Sequence, residues 1–296
     1  MNNKYDLYEF VFALIPRLEL SRDKNSILIE ELTNFINNSN RINFGDGSKG
    51  TANLGKFGKI RFPFYSFGKV KSYFHLEYRE LVIFALYRSL MNEKINFLDI
   101  GGNLGLHSII ISKLPHKKIL FFEPDKEHFK AAHNRFRLNR ITSKVKTYNI
   151  AISNFTGVGE FIRVMDNTTS SHLKNESRSA YGPLNFTKVQ VNKLTDFLTI
   201  NEKYLAKIDV EGAEGDLLDN LNADFWENFD CIVEITNEIN AKKIYKLAYK
   251  NKLNIYSQKI SWNKVKRISD LPFRWDEGSV FISKKTTREK LFRYTY

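Results

Sequence analysis

From residue 97 onward the apolar positions switch between two periods. Short solid apolar runs predict buried strands, and each is followed by a stretch with helical spacing. The order is strand 97–100, helix 104–113, strand 118–123, helix 125–139 and strand 145–152. An interruption follows: a strand at 159–164, a polar loop at 166–183, a strand at 187–191 and a short helix at 194–199. The alternation resumes with strand 204–209, helix 213–220, strand 230–235 and helix 238–249, and closes on two late strands at 252–258 and 278–283. Strands alternating with helices predict an α/β fold with a mostly parallel, doubly wound sheet. The late pair predicts an antiparallel strand near one edge. Upstream the pattern differs. Residues 1–38 read as helical, with Tyr5, Tyr8, Phe12 and Ile15 on one stripe and Leu28, Leu32 and Phe35 on another, Ile29 and Ile36 flanking the second. Gly45, Gly47, Gly50, Gly55, Gly58 and Gly68 then punctuate 39–72, where 59–64 reads as a strand that Pro63 breaks. Helical spacing returns over 77–90 through Leu81, Phe84, Ala85 and Arg88. The organisation expected is an accessory segment over 1–94 and a main domain over 95–296 with an inserted loop at 156–192.

Two strand ends carry chemistry. Phe97-Leu98-Asp99-Ile100 runs into Gly101-Gly102-Asn103-Leu104-Gly105, a turn in which backbone comes close to a ligand. The next strand, ending Phe121-Phe122, runs into Glu123-Pro124, an acid roughly 20 residues after the glycines and placed to hydrogen-bond a ribose. Together they describe a pocket for a nucleoside-containing cofactor. A dinucleotide site needs G-x-G-x-x-G facing a pyrophosphate. The spacing here is Asp99-x-Gly101-x-Asn103-x-Gly105, with a carboxylate that would repel pyrophosphate but suits a cation. S-adenosylmethionine carries an ammonium, a sulfonium and no phosphate, so the sequence favours it over NAD. The competing reading is an ordinary strand–turn–helix whose glycines only permit tight packing.

The chain has 296 residues, 42% hydrophobic and 14% aromatic, ample for a globular core. A formal net charge of +13 favours anionic partners: a phosphorylated or nucleotide-linked small molecule, nucleic acid or an anionic membrane surface. Its bland counterpart is solubility, and without a reader motif a basic balance is no nucleic-acid footprint. The single cysteine, Cys231, lies in an apolar run, which excludes an internal disulfide and a cysteine-based zinc site. The apolar run 10–15 is flanked by acids and reads as an amphipathic helix, not a signal peptide. No run approaches the length that crosses a bilayer, and a cytoplasmic location is expected.

With those residues in hand, the chain resembles the FkbM family of S-adenosylmethionine-dependent methyltransferases from about Glu77 onward. The resemblance rests on the glycine-turn block, on Phe122-Glu123-Pro124-Asp125, Asn149-Ile150-Ala151-Ile152-Ser153, Lys207-Ile208-Asp209-Val210-Glu211-Gly212-Ala213-Glu214 and Val233-Glu234-Ile235. The Lys207–Glu214 block is the most specific of these. At Gly102 the family commonly has alanine, a change expected to be mild. The resemblance implies a class I, Rossmann-like methyltransferase fold and O-methylation of sugars or natural products. Residues 1–76 carry no family motif.

On this reading Asp99 and the backbone of Gly101, Asn103 and Gly105 cradle the methionine part, Glu123 takes the ribose hydroxyls and Ala151 sits beside the adenine. Methyl transfer is an in-line displacement that depends on positioning, and an alcohol acceptor needs its proton removed. Asp209, at the strand edge where α/β folds bind ligands, is the first candidate for base or acceptor-positioning group. Glu211 opens the next helix, where a charge is also simply stabilising. Glu234 ends the fifth strand on the same edge, and Glu214 reads as a solvated or capping residue. His172, in the long polar loop, is a candidate general base, with Arg178 and Tyr181 as substrate contacts. His107 opens the helix after the glycine turn, near the cofactor. His75, His116, His128 and His133 read as surface or packing residues. No ligand set for a metal stands out, though Asp209, Glu211 and Glu234 are able to gather a magnesium ion. The expected partner is a sugar or nucleotide-sugar, not nucleic acid, for want of an amino-methylating motif. Rival readings are another natural-product hydroxyl or amine, a nucleic-acid methyltransferase, and a cofactor-binding regulator.

Overall fold

The computed structural model describes residues 7–20, 27–45, 49–91, 93–174 and 182–293. Tyr5, Gly47, Arg178 and Tyr181 lie outside the described residues.

The N-terminal part comprises α1 (Leu7–Leu20), α2 (Ile27–Phe44), the strands β1 (Thr51–Asn53), β2 (Lys59–Arg61), β3 (Ser66–Phe67) and β4 (Val70–Lys71), and α3 (Tyr78–Leu90). Then follow β5 (Ile95–Ile100), α4 (Leu106–Ile111), β6 (His116–Phe122), α5 (Lys126–Leu138), β7 (Val145–Tyr148), β8 (Ala151–Ser153), β9 (Gly157–Val164), β10 (His172–Leu173) and β11 (Leu184–Lys193). The last part holds β12 (Tyr204–Ile208), α6 (Glu214–Asp219), α7 (Ala223–Trp226), β13 (Phe229–Glu234), α8 (Glu238–Asn251), β14 (Asn254–Ser257), β15 (Asn263–Lys264), β16 (Ser279–Ser283) and α9 (Arg288–Leu291).

The main sheet runs β15-β14-β16-β13-β12-β5-β6-β7. Strands β7, β6, β5, β12 and β13 are parallel, and β16 lies antiparallel between β13 and β14. This is the mostly parallel α/β sheet with an antiparallel strand near one edge that the alternation predicted. Every residue of β5 and of β12 is buried, as strands covered by helices on both faces require.

One predicted strand divides. The apolar run 145–152 is not continuous: β7 ends at Tyr148, and β8 joins a second sheet in the order β10-β9-β11-β8. Asn149 makes the break. Its side-chain amide donates to the carbonyl oxygens of Glu123 and Pro124 at 2.8 and 3.1 Å, which turns the chain out of the main sheet. The polar loop is likewise not wholly irregular, because His172 and Leu173 pair with Ile162 and Phe161 of β9.

The second N-terminal helix also differs from expectation. It continues to Phe44, and its buried face is rotated: Ile36 is 1% exposed and Asn40 fully buried, while Leu28 and Phe35 are 55% and 48% exposed. Asn40 interrupts the apolar pattern but is satisfied inside, accepting from the Tyr8 hydroxyl and donating to the Leu76 carbonyl. Helix α3 is buried on all sides from Leu81 to Tyr87. Phe12, Phe57, Phe62 and Phe84 of the N-terminal part share one hydrophobic cluster with Phe97, Ile109 and Phe121 of the sheet and its helices. A buried carboxylate ties the two further: Glu19 accepts from the Tyr78 hydroxyl at 3.1 Å, from Gln258 at 3.2 Å and from the Trp262 indole at 2.8 Å.

Candidate functional site

The parallel strands deliver their chemistry to one edge. At their C-terminal ends stand the 101–105 turn after β5, Glu123 after β6, Asp209 after β12 and Glu234 closing β13. Because β16 runs the other way, its first residue, Ser279, pairs with Glu234 at the same edge. A cavity of about 560 Å³ extends along it.

The turn after β5 is fixed by backbone. Gly101 and Gly102 donate to the Phe122 carbonyl at 3.0 Å each, and Asp209 donates to Ile100 at 3.0 Å. Gly101 has φ +74°, and a Cβ there would lie 1.8 Å from the Asp209 carbonyl oxygen. Only glycine lets the tips of β5 and β12 approach so closely. A Cβ on Gly102 would lie 2.3 Å from the ring of Phe121, which is fully buried. An alanine at this position is therefore not a mild change in this chain. Gly105 (φ +78°) backs against Phe136 of α5, 2.5 Å from where its Cβ would be, and it does not line the cavity. Its job is the left-handed turn and helix packing, not the ligand cradle expected of it.

Asp99 is 1% exposed and accepts from the Ser108 backbone at 3.0 Å and hydroxyl at 2.6 Å. Burial raises its pKa, against the lowering effect of His107 and the Ser108 hydrogen bonds. Glu123 accepts from the backbone of Asn103 at 2.8 Å and of Asp125 at 2.7 Å, and burial pushes its carboxyl up to about 8. The same segment is held by Asp125, which caps α5 and pairs with Arg163 at 2.5 Å.

At the neighbouring tips Lys207 lies between two carboxylates, 3.4 Å from Asp209 and 3.8 Å from Glu234. Its side chain is 3% exposed, those of Asp209 and Glu234 34% and 26%. Burial alone would lower the Lys207 pKa, but Asp209, Glu234, Glu80 and Asp99 outweigh it and raise it. Burial, with Asp209 close by, pushes Glu234 up to about 8. Behind this group His107 joins Glu80 at 3.2 Å through Nε2 and the Tyr87 hydroxyl at 2.9 Å through Nδ1. Burial alone would raise the Glu80 carboxyl, yet His107 and Lys207 hold it at about 2.

Glu211 stands at φ +62° in the turn before α6, three positions ahead of the helix rather than opening it. Glu214 is fully buried, not solvated. It accepts from the backbone of Val210 at 3.2 Å and Gly212 at 3.1 Å and bonds Asn240 of α8, so it fixes the 210–212 turn, and burial raises its carboxyl to about 7.

The cavity's other wall comes from the N-terminal part and the second sheet. The β3–β4 hairpin clasps the loop after β9: Lys69 donates through its backbone to the Asp166 carbonyl and through Nζ to the Asp166 carboxylate, both at 2.7 Å. His172 is 3% exposed and faces the cavity. Its Nδ1 is 2.9 Å from the Ser170 carbonyl, an acceptor only, which puts a proton on Nδ1.

Of the residues the sequence singled out for cofactor or chemistry, Asp99, Gly101, Asn103, Glu123, Ala151, Asp209, Glu211, Glu234 and His172 all line this cavity, and Gly105 does not. Asp209, Glu211 and Glu234 do not form a ligand set: among the described residues no group of three or more acids, histidines or cysteines gathers as metal ligands would. Lys207, Glu80, His75 and His128 also line the cavity and were missed. A lysine within an otherwise apolar strand was a readable signal. The two histidines gave none, since only tertiary packing brings them in; burial lowers both to about 4. The lining carries seven carboxylates (Glu77, Glu80, Asp99, Glu123, Asp209, Glu211, Glu234) against four basic groups (Lys69, Lys71, Arg79, Lys207), so the excess positive charge of the chain is not that of its cavity. No helix among the described residues is long and apolar enough to cross a membrane.

The family model for the methyltransferase FkbM domain matches residues 99–256. Methyltransferase sdnD of Sordaria araneosa is 25% identical over 200 residues, which are 56% of this chain and 75% of that protein. Methyltransferase 1 of Beauveria bassiana (strain ARSEF 2860) is 26% identical over 155 residues, 46% of this chain and 62% of that protein. Among solved structures, the methyltransferase FkbM from Methylobacillus flagellatus KT shows 13% identity and a TM-score of 0.38, covering 64% of this chain and 43% of that one.

Proposed function

This chain belongs to the FkbM methyltransferase family and is an S-adenosylmethionine-dependent methyltransferase of the class I fold; from that premise we propose that it methylates a sugar hydroxyl, on a nucleotide-activated sugar or a surface-polysaccharide precursor. The cavity suits the cofactor. Its carboxylates complement an ammonium and a sulfonium, and Gly101, Gly102 and Asn103 line it at the end of β5. In this reading Asp99 and the backbone of 101–103 hold the methionine half, Glu123 the ribose hydroxyls and Ala151 the adenine. When bound, S-adenosylmethionine supplies an electrophilic methyl carbon.

The observation that carries the acceptor reading is the pair Asp209 and Glu234, at adjacent strand tips beside the glycine turn with Lys207 between them. Carboxylates at a cavity wall accept hydrogen bonds from hydroxyls. Asp209 accepts the proton of the reacting hydroxyl. Glu234, at the adjacent strand tip, hydrogen-bonds a neighbouring hydroxyl of the acceptor. Lys207 holds both carboxylates in place, and His172 orients the acceptor from the opposite wall. Lys69, beside its partner Asp166, and Lys71 place positive charge at the N-terminal wall, on the side where phosphates of an activated sugar would lie. The test is transfer of labelled methyl from S-adenosylmethionine to a panel of UDP-, GDP- and dTDP-hexoses. Asp209→Asn is expected to lower kcat by about a hundredfold or more, within the range for removing an acid–base group, while S-adenosylhomocysteine binding stays unchanged. Unchanged turnover in this variant removes Asp209 as the base.

A further inference from the structure

We infer that Trp275 is a stacking platform for the acceptor, and that it takes the apolar face of a pyranose ring. The inference rests on the sugar-hydroxyl reading above and names where that sugar lies. The chain has three tryptophans. Trp226 and Trp262 are fully buried, whereas Trp275 is 56% exposed and lines the cavity.

Its exposure is built into a fixed turn. Glu277 accepts from the Phe273 backbone at 2.6 Å and pairs with Lys259 at 3.1 Å. Immediately beyond, Gly278 has φ +95°, and a Cβ there would sit 2.3 Å from Gln258 Oε1. That same oxygen accepts from the Ser279 backbone at 3.1 Å, while the Gln258 amide donates to buried Glu19. On the ring itself the Arg79 guanidinium lies 4.6 Å from the centroid, with Nη1 3.4 Å from the Trp275 carbonyl oxygen and Nη2 3.2 Å from Glu77. A cation over the ring fixes its plane, and the residue is still 56% exposed.

Strand order puts this platform at the acceptor end. Ser279 pairs with Glu234, and four strand intervals separate β16 from β6, where Glu123 stands. At about 4.8 Å each they amount to roughly 19 Å. A nucleoside held by Glu123 with its methionine half at the β5 turn therefore stops short of Trp275, and what lies between them is Asp209 and Glu234. A ligand that stacks on an indole and offers hydroxyls to two carboxylates at its edge is a ring with C–H groups on its face and oxygens around it. That describes a pyranose: its axial C–H groups meet the negative face of the indole.

The experiment measures methyl transfer to the same hexose panel and, in parallel, S-adenosylhomocysteine binding by calorimetry, for the wild type, Trp275→Ala and Trp275→Phe. Expected are a rise in acceptor KM of about tenfold in Trp275→Ala, the size of one stacking contact, with kcat and S-adenosylhomocysteine binding unchanged, and recovery of KM in Trp275→Phe. An unchanged KM in Trp275→Ala, or a loss confined to kcat, overturns the platform and leaves the sugar reading standing. A wild type that binds S-adenosylhomocysteine yet methylates no member of the panel overturns the sugar reading and the platform with it.

Discussion

A lysine in a strand whose residues are all buried must find its counter-charges inside the protein. Lys207 finds Asp209 and Glu234, and this explains why a signature that reads as one block spreads its functions: Lys207 holds the carboxylates, Asp209 faces the cavity, and Glu214 fixes the turn between. The carboxylates at the strand ends were legible because an acid after an apolar run has few structural uses. His128 was not. It lies in a helix whose spacing gives no hint that its ring bonds Thr168 at 2.9 Å and meets Phe67 edge-on at 5.3 Å. Burial depresses its pKa from 6.5 to about 4. The unfolded chain therefore binds a proton that the folded chain refuses over that interval, and wild-type stability falls through this group as pH drops from 6.5 towards 4. His128→Gln costs stability at neutral pH through lost packing. Its deficit relative to wild type should shrink as pH is lowered through that interval, by up to about 1.4 kcal/mol per pH unit. Urea unfolding at a series of pH values checks this, and a deficit that stays constant with pH contradicts it.

Most elements of the main sheet followed from periodicity, because strands buried on both faces read as solid apolar runs and their helices do not. The misreadings have local causes. Asn149 splits 145–152 by bonding two backbone carbonyls, and one asparagine between apolar runs gives no warning that the second run belongs to another sheet. The face of α2 departs from its apolar spacing because Asn40, satisfied internally, occupies an inward position while Phe35 is 48% exposed. The glycine turn reads in sequence as a ligand turn, and in the structure its glycines differ in kind: Gly101 makes room for the Asp209 backbone, Gly102 for a ring and Gly105 for a helix. Gly102→Ala is expected to destabilise by about 1–3 kcal/mol, the usual cost of overpacking a close-packed site. Gly102→Ala with Phe121→Leu should recover part of that loss. Chemical unfolding of the two variants decides it, and a neutral Gly102→Ala would mean that Phe121 yields without cost.

On the scale of the whole molecule, the net charge of +13 and the acid-lined cavity belong to different parts of the surface. Composition sees only their sum, and so it could not show that the cavity itself is rich in acids. The N-terminal part, which carried no motif, supplies one wall of that cavity through Lys69, Lys71, His75, Arg79 and Glu80 and shares its hydrophobic cluster with the sheet. Its contribution was illegible because it depends on contacts across the fold, such as the clasp between Lys69 and Asp166. The claim on which the rest depends is that Asp99 and Glu123, at successive strand tips, hold opposite ends of one cofactor. Calorimetric titration with S-adenosylhomocysteine tests it most directly. Asp99→Asn and Glu123→Gln, each confirmed as folded by thermal melting, should weaken binding by about tenfold or more, as the loss of a buried hydrogen-bond partner does, while Asp209→Asn binds like the wild type. Wild-type affinity in both the Asp99 and Glu123 variants would contradict the account.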